Sequence, residues 1–331
     1  MPPLADESTL LRELQGLARQ GRYREVVDRI TALPSGTAES RSPLALLAAE
    51  AFGRLGEDDG AARWAARALE LARTQRDSPT ELRSVHLQGA IAWQRGALDE
   101  TERHFHRVLE LARTLRDVAA EARAFNNLGI LQNLRGEPEE ALATYQLALA
   151  AYQQAGNLRG IAETHTNLEI SWLAMGNARR ARDAADEAVR LAREVGDATL
   201  LAVALVARAE ANLALGDPDL AAAELQRAEE TYIGVRFGAG LAEVRRLQAA
   251  VARARENLPA ARLLLEGART LAPQGASLDT QAEIERDLGD VLAAVGDRAG
   301  ARAARERALT LFRRLGARAA ERALAALLAA P

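Results

Sequence analysis

The sequence predicts an all-α protein, an α-solenoid of antiparallel helix pairs. The first observation behind this is a period of 40 residues, in which one column is glycine at six of seven positions. Glycine makes up only 24 of the 331 residues, so such a column indicates an internal repeat and not chance. The column consists of Gly56, Gly96, Gly136, Gly176, Gly216, Glu256 and Gly296.

Two further observations support the same architecture. Columns of small residues run in register with the glycines, one starting at Ala61 and the other at Ala68, and only Thr101 and Val108 interrupt the alanines. No segment alternates apolar and polar residues, and β-branched residues are sparse, so nothing predicts a strand. A helical period without strands predicts a stack of helices.

Each period is predicted to form a helix, a turn and a second helix. Within 118–157, the first apolar pattern ends at Gly136, because glycine readily takes the left-handed conformation that ends a helix. Pro138 then starts the second helix, since proline suits the first helical turn. Before the next helix comes an Asp or Asn that can accept its free backbone N–H groups, for about 1 kcal/mol each. These predicted caps are Asp77, Asp117, Asn157 and Asp197.

In chain order, the pattern gives eight repeats and a final helix. The step after Gly21 is shorter than the others, and Ser42-Pro43 and Ser78-Pro79 mark the starts of the second and third repeats. The predicted repeats are 6–41, 42–77, 78–117, 118–157, 158–197, 198–237, 238–277 and 278–317, and 318–331 is a C-terminal capping helix.

Two places depart from the pattern. Gly129 and Tyr145 stand where the paired helices should approach closely, and forty residues later the same positions hold Glu169 and Ala185. Either Ala185 leaves room for Glu169 to turn outward, or Glu169 is a buried carboxylate, which is costly unless it is paired. The joint Arg236-Phe237-Gly238 lacks the usual Gly-Asp and predicts an irregular turn over 234–240 that could bend the array or act as a hinge.

Composition excludes several kinds of chemistry. All 43 basic residues are Arg, and there is no Cys, so lysine and thiol catalysis and thiolate metal sites are excluded. His104 and His106 lie two apart on a helix, point to different faces and do not predict a metal site. Ser84 and His86 have no nucleophile elbow or strand scaffold beside them. We therefore expect no enzyme activity, no metal and no cofactor.

Charge and hydropathy restrict the partners and the location. A net charge of −3 gives no reason to expect nucleic acid. There is no apolar run long enough to cross a membrane and no secretory signal at the N-terminus, which predicts a cytoplasmic protein. The alanine-rich, all-arginine composition suggests a bacterial source.

The repeat resembles the tetratricopeptide repeat. In the fourth predicted repeat, the residues that carry the resemblance are Asn127, Leu128, Gly129, Gly136, Ala141, Tyr145 and Ala148. The period of 40 is longer than the usual 34 and is similar to the long-helix variety of bacterial regulator sensor domains and kinesin-light-chain-like adaptors. The resemblance implies a right-handed superhelix whose concave groove is lined by first helices and binds extended peptides, helices or, more rarely, small molecules.

Residues three and four apart on the first helices are expected to face that groove. The asparagines on this face either bind a peptide backbone, for which an amide is suited, or hydrogen-bond between helices. Trp93 is either an aromatic anchor or a filler between helices. In the last two repeats the same face is charged, with Glu243, Arg246, Glu283, Arg286 and Asp287 among its residues. The predicted binding residues are Arg83, His86, Trp93, Arg123, Asn126, Asn127, Asn133, Thr166 and Asn167.

The sequence favours a non-enzymatic adaptor that holds a protein or peptide in the groove of the third to fifth repeats. One alternative is a sensor module that binds a small molecule or signalling peptide and signals this binding to a separate effector. Another is a structural subunit of a larger assembly that buries its convex face. Leu324, Leu327 and Leu328 are expected to cover the last repeat, and the apolar tail predicts weak self-association through the C-terminal helix.

Overall fold

A computed structural model describes residues 7–34, 36–235, 237–272 and 277–329. These residues form helices without a strand, which confirms the all-α solenoid. The chain divides into two compact units, Met1–Ala124 and Phe125–Pro331. The helices of the first are α1 Glu7–Arg19, α2 Tyr23–Thr31, α3 Ser42–Arg54, α4 Asp58–Gln75, α5 Ser78–Gln94 and α6 Leu98–Leu115, with a short 3-10 turn at Ala38–Ser40.

Helix α7, Val118–Arg135, begins in the first compact unit and ends in the second. The helices that follow it are α8 Pro138–Gln154, α9 Leu158–Ala174, α10 Ala178–Val195, α11 Ala198–Ala214, α12 Pro218–Gly234, α13 Gly238–Ala254, α14 Leu258–Leu271, α15 Leu278–Ala294, α16 Arg298–Leu315 and α17 Arg318–Ala329. Short turns join consecutive helices that pack along each other, so neighbours in sequence form antiparallel pairs.

The turns form as the glycine and capping columns predict. Gly136 takes a φ of +81°, and Glu256 takes +59° at the one position of the column where glycine is replaced. The caps are also in place: Asn157 Oδ1 accepts from the Gly160 N–H at 3.0 Å, and Asp197 Oδ1 accepts from the Leu200 N–H at 2.9 Å. The irregular turn predicted over 234–240 includes Arg236, which lies outside the described residues.

Small residues bring the paired helices together. A Cβ added at Gly129 would lie 2.5 Å from the ring of Tyr145, so glycine is required where α7 meets α8. Glu169 occupies the same register position in α9, and the fully buried Ala185 stands at the register position of Tyr145. The interpretation that Glu169 turns outward is wrong, because its side chain is only 1% exposed. The other interpretation, a buried carboxyl group, is confirmed.

First helices lie on the inner side of each compact unit. Neighbouring first helices pack on each other, as α3 does on α5 and α9 does on α11, followed by α13 and α15. Among the described residues, neighbouring second helices make no comparable contacts, so they lie farther apart on the outer side of the curve. We call the surface formed by the first helices the inner face.

The C-terminal helix α17 covers α16 mainly through one residue. Leu324 is buried beside Phe312 and Leu315, whereas Leu327 is 50% exposed, so the expectation that Leu327 also covers the last pair is wrong. The end of α7 reaches the same cluster through Leu134, so the two ends of the second compact unit meet.

Candidate functional site

The structure brings three of the predicted binding residues together on the inner face of the first compact unit. Arg83, His86 and Arg123 line one cleft of about 220 Å³. Arg83 and His86 come from α5 and Arg123 from α7, one repeat later. The cleft is further lined by Glu50, Leu82, Leu87, Val108 and Ala120.

This cleft carries positive charge. Arg83 Nη2 donates to both carboxylate oxygens of Glu50, at 2.7 and 3.0 Å, which neutralises one of the two guanidinium groups. Burial and the charge of Arg123 lower the pKa of His86, so its imidazole is neutral at pH 7. The ring of His86 lies 5.9 Å from that of Phe105. The cleft can therefore accept a negatively charged or hydrogen-bond-accepting group at Arg123.

Trp93 lies on α5 but is not among the residues that line this cleft. Its side chain is half-buried. Thr166 is half-buried on α9, and its hydroxyl donates to the Ala162 carbonyl at 3.2 Å within the same helix. Trp93 therefore does not join the group around Arg123, and the role of Trp93 and Thr166 in binding stays a prediction.

The predicted asparagines lie between α7 and α9 in the second compact unit. Asn126 is buried, and its Oδ1 accepts from Thr164 Oγ1 and from Asn167 Nδ2, both at 3.1 Å. These bonds correspond to the interpretation in which asparagine links neighbouring first helices. The role of Asn126 and Asn167 in binding a peptide stays a prediction.

Asn133 makes a second link between the same helices. Its Oδ1 accepts from Ser171 Oγ at 2.8 Å, and its Nδ2 donates to the Tyr145 hydroxyl at 3.3 Å. Asn127 is half-buried on the same helix and has polar or electrostatic contacts of its own. The hydrogen bonds of Asn126 and Asn133 therefore link α7 to α9, one repeat later.

A group of charged residues on the inner face of the second compact unit is absent from the predicted binding set. At its centre, Arg246 of α13 is 8% exposed and donates to Glu243 at 2.6 Å, to Asp287 at 3.1 Å and to Glu210 at 3.3 Å. Arg286 Nη1 donates to Glu283 Oε1 at 2.9 Å beside it. Mapping the inner face of the last repeats already identified most of these residues. Their contacts could not be predicted, because partners on successive first helices are separated by about one repeat.

Burial raises the pKa of several carboxyl groups in this cluster. The pKa of Glu283 rises to about 7, and the pKa values of Glu169, Glu210 and Asp279 are also raised. The surrounding protein desolvates the Glu210 carboxyl group and raises its pKa. Solvent still reaches the side chain, which is 35% exposed. That combination is expected on the inner wall of a curved array.

The described residues contain no group of His, Asp and Glu side chains that could hold a metal ion. His104 and His106 each face a glutamate four residues earlier, at 3.5 and 3.9 Å. Within the described part of the chain, no helix is long and apolar enough to cross a bilayer.

Known proteins resemble this chain in part of its sequence and in its fold. A family model for the tetratricopeptide repeat matches residues 81–154. No curated protein matches the chain. Many solved structures share the fold at low sequence identity, and identities this low show the fold alone.

Two similar structures contain a bound factor or peptide. A Rap protein complexed with competence and sporulation factor has a TM-score of 0.62 at 12% identity, over 97% of this chain and 96% of that one. NprR in complex with its cognate peptide NprX has a TM-score of 0.62 at 13% identity, over 98% and 99% of the two chains. A signal transduction ATPase with a tetratricopeptide repeat sensor, from Pyrococcus horikoshii, has a TM-score of 0.61 at 16% identity, over 96% of this chain and 47% of that one.

Proposed function

Since this chain is a tetratricopeptide-repeat protein, we propose that it is a non-enzymatic adaptor that binds an extended segment of a protein or peptide against its inner face. The observation that carries the proposal is the set of polar side chains that the first helices present there. In the first compact unit, Arg83, His86 and Arg123 share one cleft. The Rap and NprR structures, solved with a bound factor or peptide, support a partner of this kind.

The partner is expected to present a hydrogen-bond acceptor or a negative charge to the cleft. A guanidinium group donates several hydrogen bonds in a fixed geometry and suits a carboxylate or a backbone carbonyl. The apolar side chains of Leu82, Leu87 and Val108 would contact the adjoining apolar part of the segment. Arg123 is exposed, so a partner can reach it without a rearrangement of α7.

The test is selection of binding peptides from a displayed random library, followed by affinity measurement with two double variants. Arg83→Ala with Arg123→Ala removes the cleft charges. Arg63→Ala with Arg103→Ala is the matched control, since both of these arginines are exposed on second helices. We expect the cleft variant to weaken binding about tenfold or more and the control to leave it unchanged. Equal affinities for wild type and cleft variant would contradict the proposal.

A second candidate function is a sensor that passes ligand binding to a separate effector. The similarity to a signal transduction ATPase with a tetratricopeptide repeat sensor favours it, since this chain matches about half of that protein. A sensor should change the dimensions of the array when a selected peptide binds. Small-angle scattering with and without the peptide separates the two candidates, because a plain adaptor would keep its radius of gyration.

A further inference from the structure

The charged cluster of the second compact unit contains more carboxyl groups than guanidinium groups. Arg246 and Arg286 are its two cations, and the carboxyl groups come from four first helices, α9, α11, α13 and α15. The six carboxyl groups that act on one another or on these arginines are Glu169, Glu210, Glu243, Asp279, Glu283 and Asp287. The inner face therefore holds an excess of negative charge here.

Both arginines already donate to other members of this set. Arg246 donates to Glu210, Glu243 and Asp287, and Arg286 donates to Glu283 and Asp287. Among the described residues, neither arginine donates a hydrogen bond to Glu169 or Asp279, of which Glu169 is the more buried. The internal ion pairs thus leave Glu169 without a guanidinium donor.

Glu169 places a carboxyl oxygen without a hydrogen-bond partner on the wall of this cluster. Its side chain is buried, and its Oε1 atom has no hydrogen-bond partner. The charges that act on it are those of Glu210, Arg246 and Glu243, so its carboxyl group lies on the side of α9 that the cluster occupies. A buried carboxylate without a donor is costly, and the missing donor is what a ligand can supply.

The raised pKa values of the carboxyl groups agree with a shortage of positive charge. Desolvation is the largest cause of the shift at Glu169, Glu210, Asp279 and Glu283, and Arg246 only partly opposes it. A bound cation would lower these pKa values toward their ordinary range. Its binding should therefore release protons near neutral pH.

The geometry also indicates what kind of cation fits. The described carboxyl groups are not clustered closely enough to ligate a metal ion. They are spread over successive helices, which suits a cation that donates several directed hydrogen bonds across a larger distance. Guanidinium and ammonium groups have this chemistry.

We propose that the cluster around Arg246 and Glu169 is a binding site for an organic cation, a guanidinium or ammonium group such as the basic side chain of a peptide. This site lies wholly in the second compact unit and does not rest on the function proposed above, whose test uses the cleft of the first. A peptide carrying arginine and a free polyamine are the two sources of this chemistry, and the test separates them.

The experiment is calorimetric titration of the full chain at pH 7 and low salt. The probes are the capped pentapeptide Ac-Ala-Ala-Arg-Ala-Ala-NH2, its neutral citrulline counterpart, and spermidine. We expect the arginine peptide to bind about tenfold or more tightly than the citrulline peptide, with proton release that shows as a dependence of the heat on the buffer. Binding of spermidine alone would assign the site to a free amine. Binding of no cation would overturn the proposal.

Two variants and a control place the site. Glu169→Gln and Glu210→Gln should each weaken binding of the cation about tenfold, whereas Glu306→Gln, at an exposed ion pair with Arg302 on α16, should not change it. Glu169→Gln should also raise the melting temperature without ligand, because the amide replaces a buried carboxyl group whose ionised form is costly. A purely structural role for Glu169 would change stability without changing the affinity. Cation binding that both variants leave unchanged would overturn the proposed location.

Discussion

The glycine at the contact of α7 with α8 offers a quantitative test of the packing. Gly129→Ala adds a Cβ that would lie 2.5, 2.7 and 2.8 Å from three ring carbons of Tyr145. The ring cannot withdraw freely, because Tyr145 is fully buried and its hydroxyl accepts from Asn133 at 3.3 Å. Overpacking of this kind costs about 1–3 kcal/mol, while alanine gains up to about 1 kcal/mol over glycine inside a helix.

Gly267→Ala is the matched control within α14. A Cβ there would meet no atom within 4 Å, so the variant keeps the gain in helix propensity without the clash. The difference in unfolding free energy between the two variants therefore isolates the packing cost, and we expect about 1–3 kcal/mol. Urea unfolding followed by circular dichroism measures it.

A double-mutant cycle tests the cause. In a Tyr145→Leu background, Gly129→Ala should lose most of its cost, since the ring that it meets is absent. The next repeat already has a similar combination, because Glu169 and the small Ala185 stand at the positions of Gly129 and Tyr145. Equal stabilisation by Gly129→Ala and Gly267→Ala in the wild-type chain would refute the packing argument.

Three other predictions concern the core, the pH dependence and the last helix. Ala148 is fully buried, so the larger side chain in Ala148→Leu should overpack the core and lower the free energy of unfolding by about 1–3 kcal/mol. A fall in melting temperature of less than about one degree would count against this. The folded pKa of Glu283, about 7, lies above its ordinary 4.5, so the folded state binds the extra proton and its stability should fall as pH rises from 4.5 to 7 and then level off. The shift corresponds to about 3 kcal/mol at most, and urea unfolding at pH 5 and pH 7.5 should show a smaller fall for Glu283→Gln. The exposed Leu327 is expected to mediate weak self-association, so Leu327→Ser should shift sedimentation toward the monomer, and an unchanged distribution would contradict this.

The helices could be predicted from the sequence because local signals fix their ends. Gly136 ends α7, Pro138 begins α8, and Asn157 caps α9, each through backbone chemistry within a few residues. Such signals do not depend on how the repeats stack. Glu256 shows the limit of the glycine rule, since it takes the same left-handed turn at some cost in strain.

The inner face was harder to predict because its contacts join residues about one repeat apart. The sequence cannot show whether Asn126 meets Thr164 or a ligand, since that depends on the curvature of the stack. Burial of Glu169 depends likewise on α11 and α13, which lie far along the chain. The binding residues, the bacterial source and the cytoplasmic location stay predictions.

The central claim is that partners bind to the first helices, and a structure of the complex with a selected peptide tests it most directly. We expect a peptide seated on the inner face, in contact with residues of α5, α7, α9, α11, α13 or α15. A peptide held only by second helices, such as α6, α10 or α14, would contradict the claim, because it would make the outer side the binding surface.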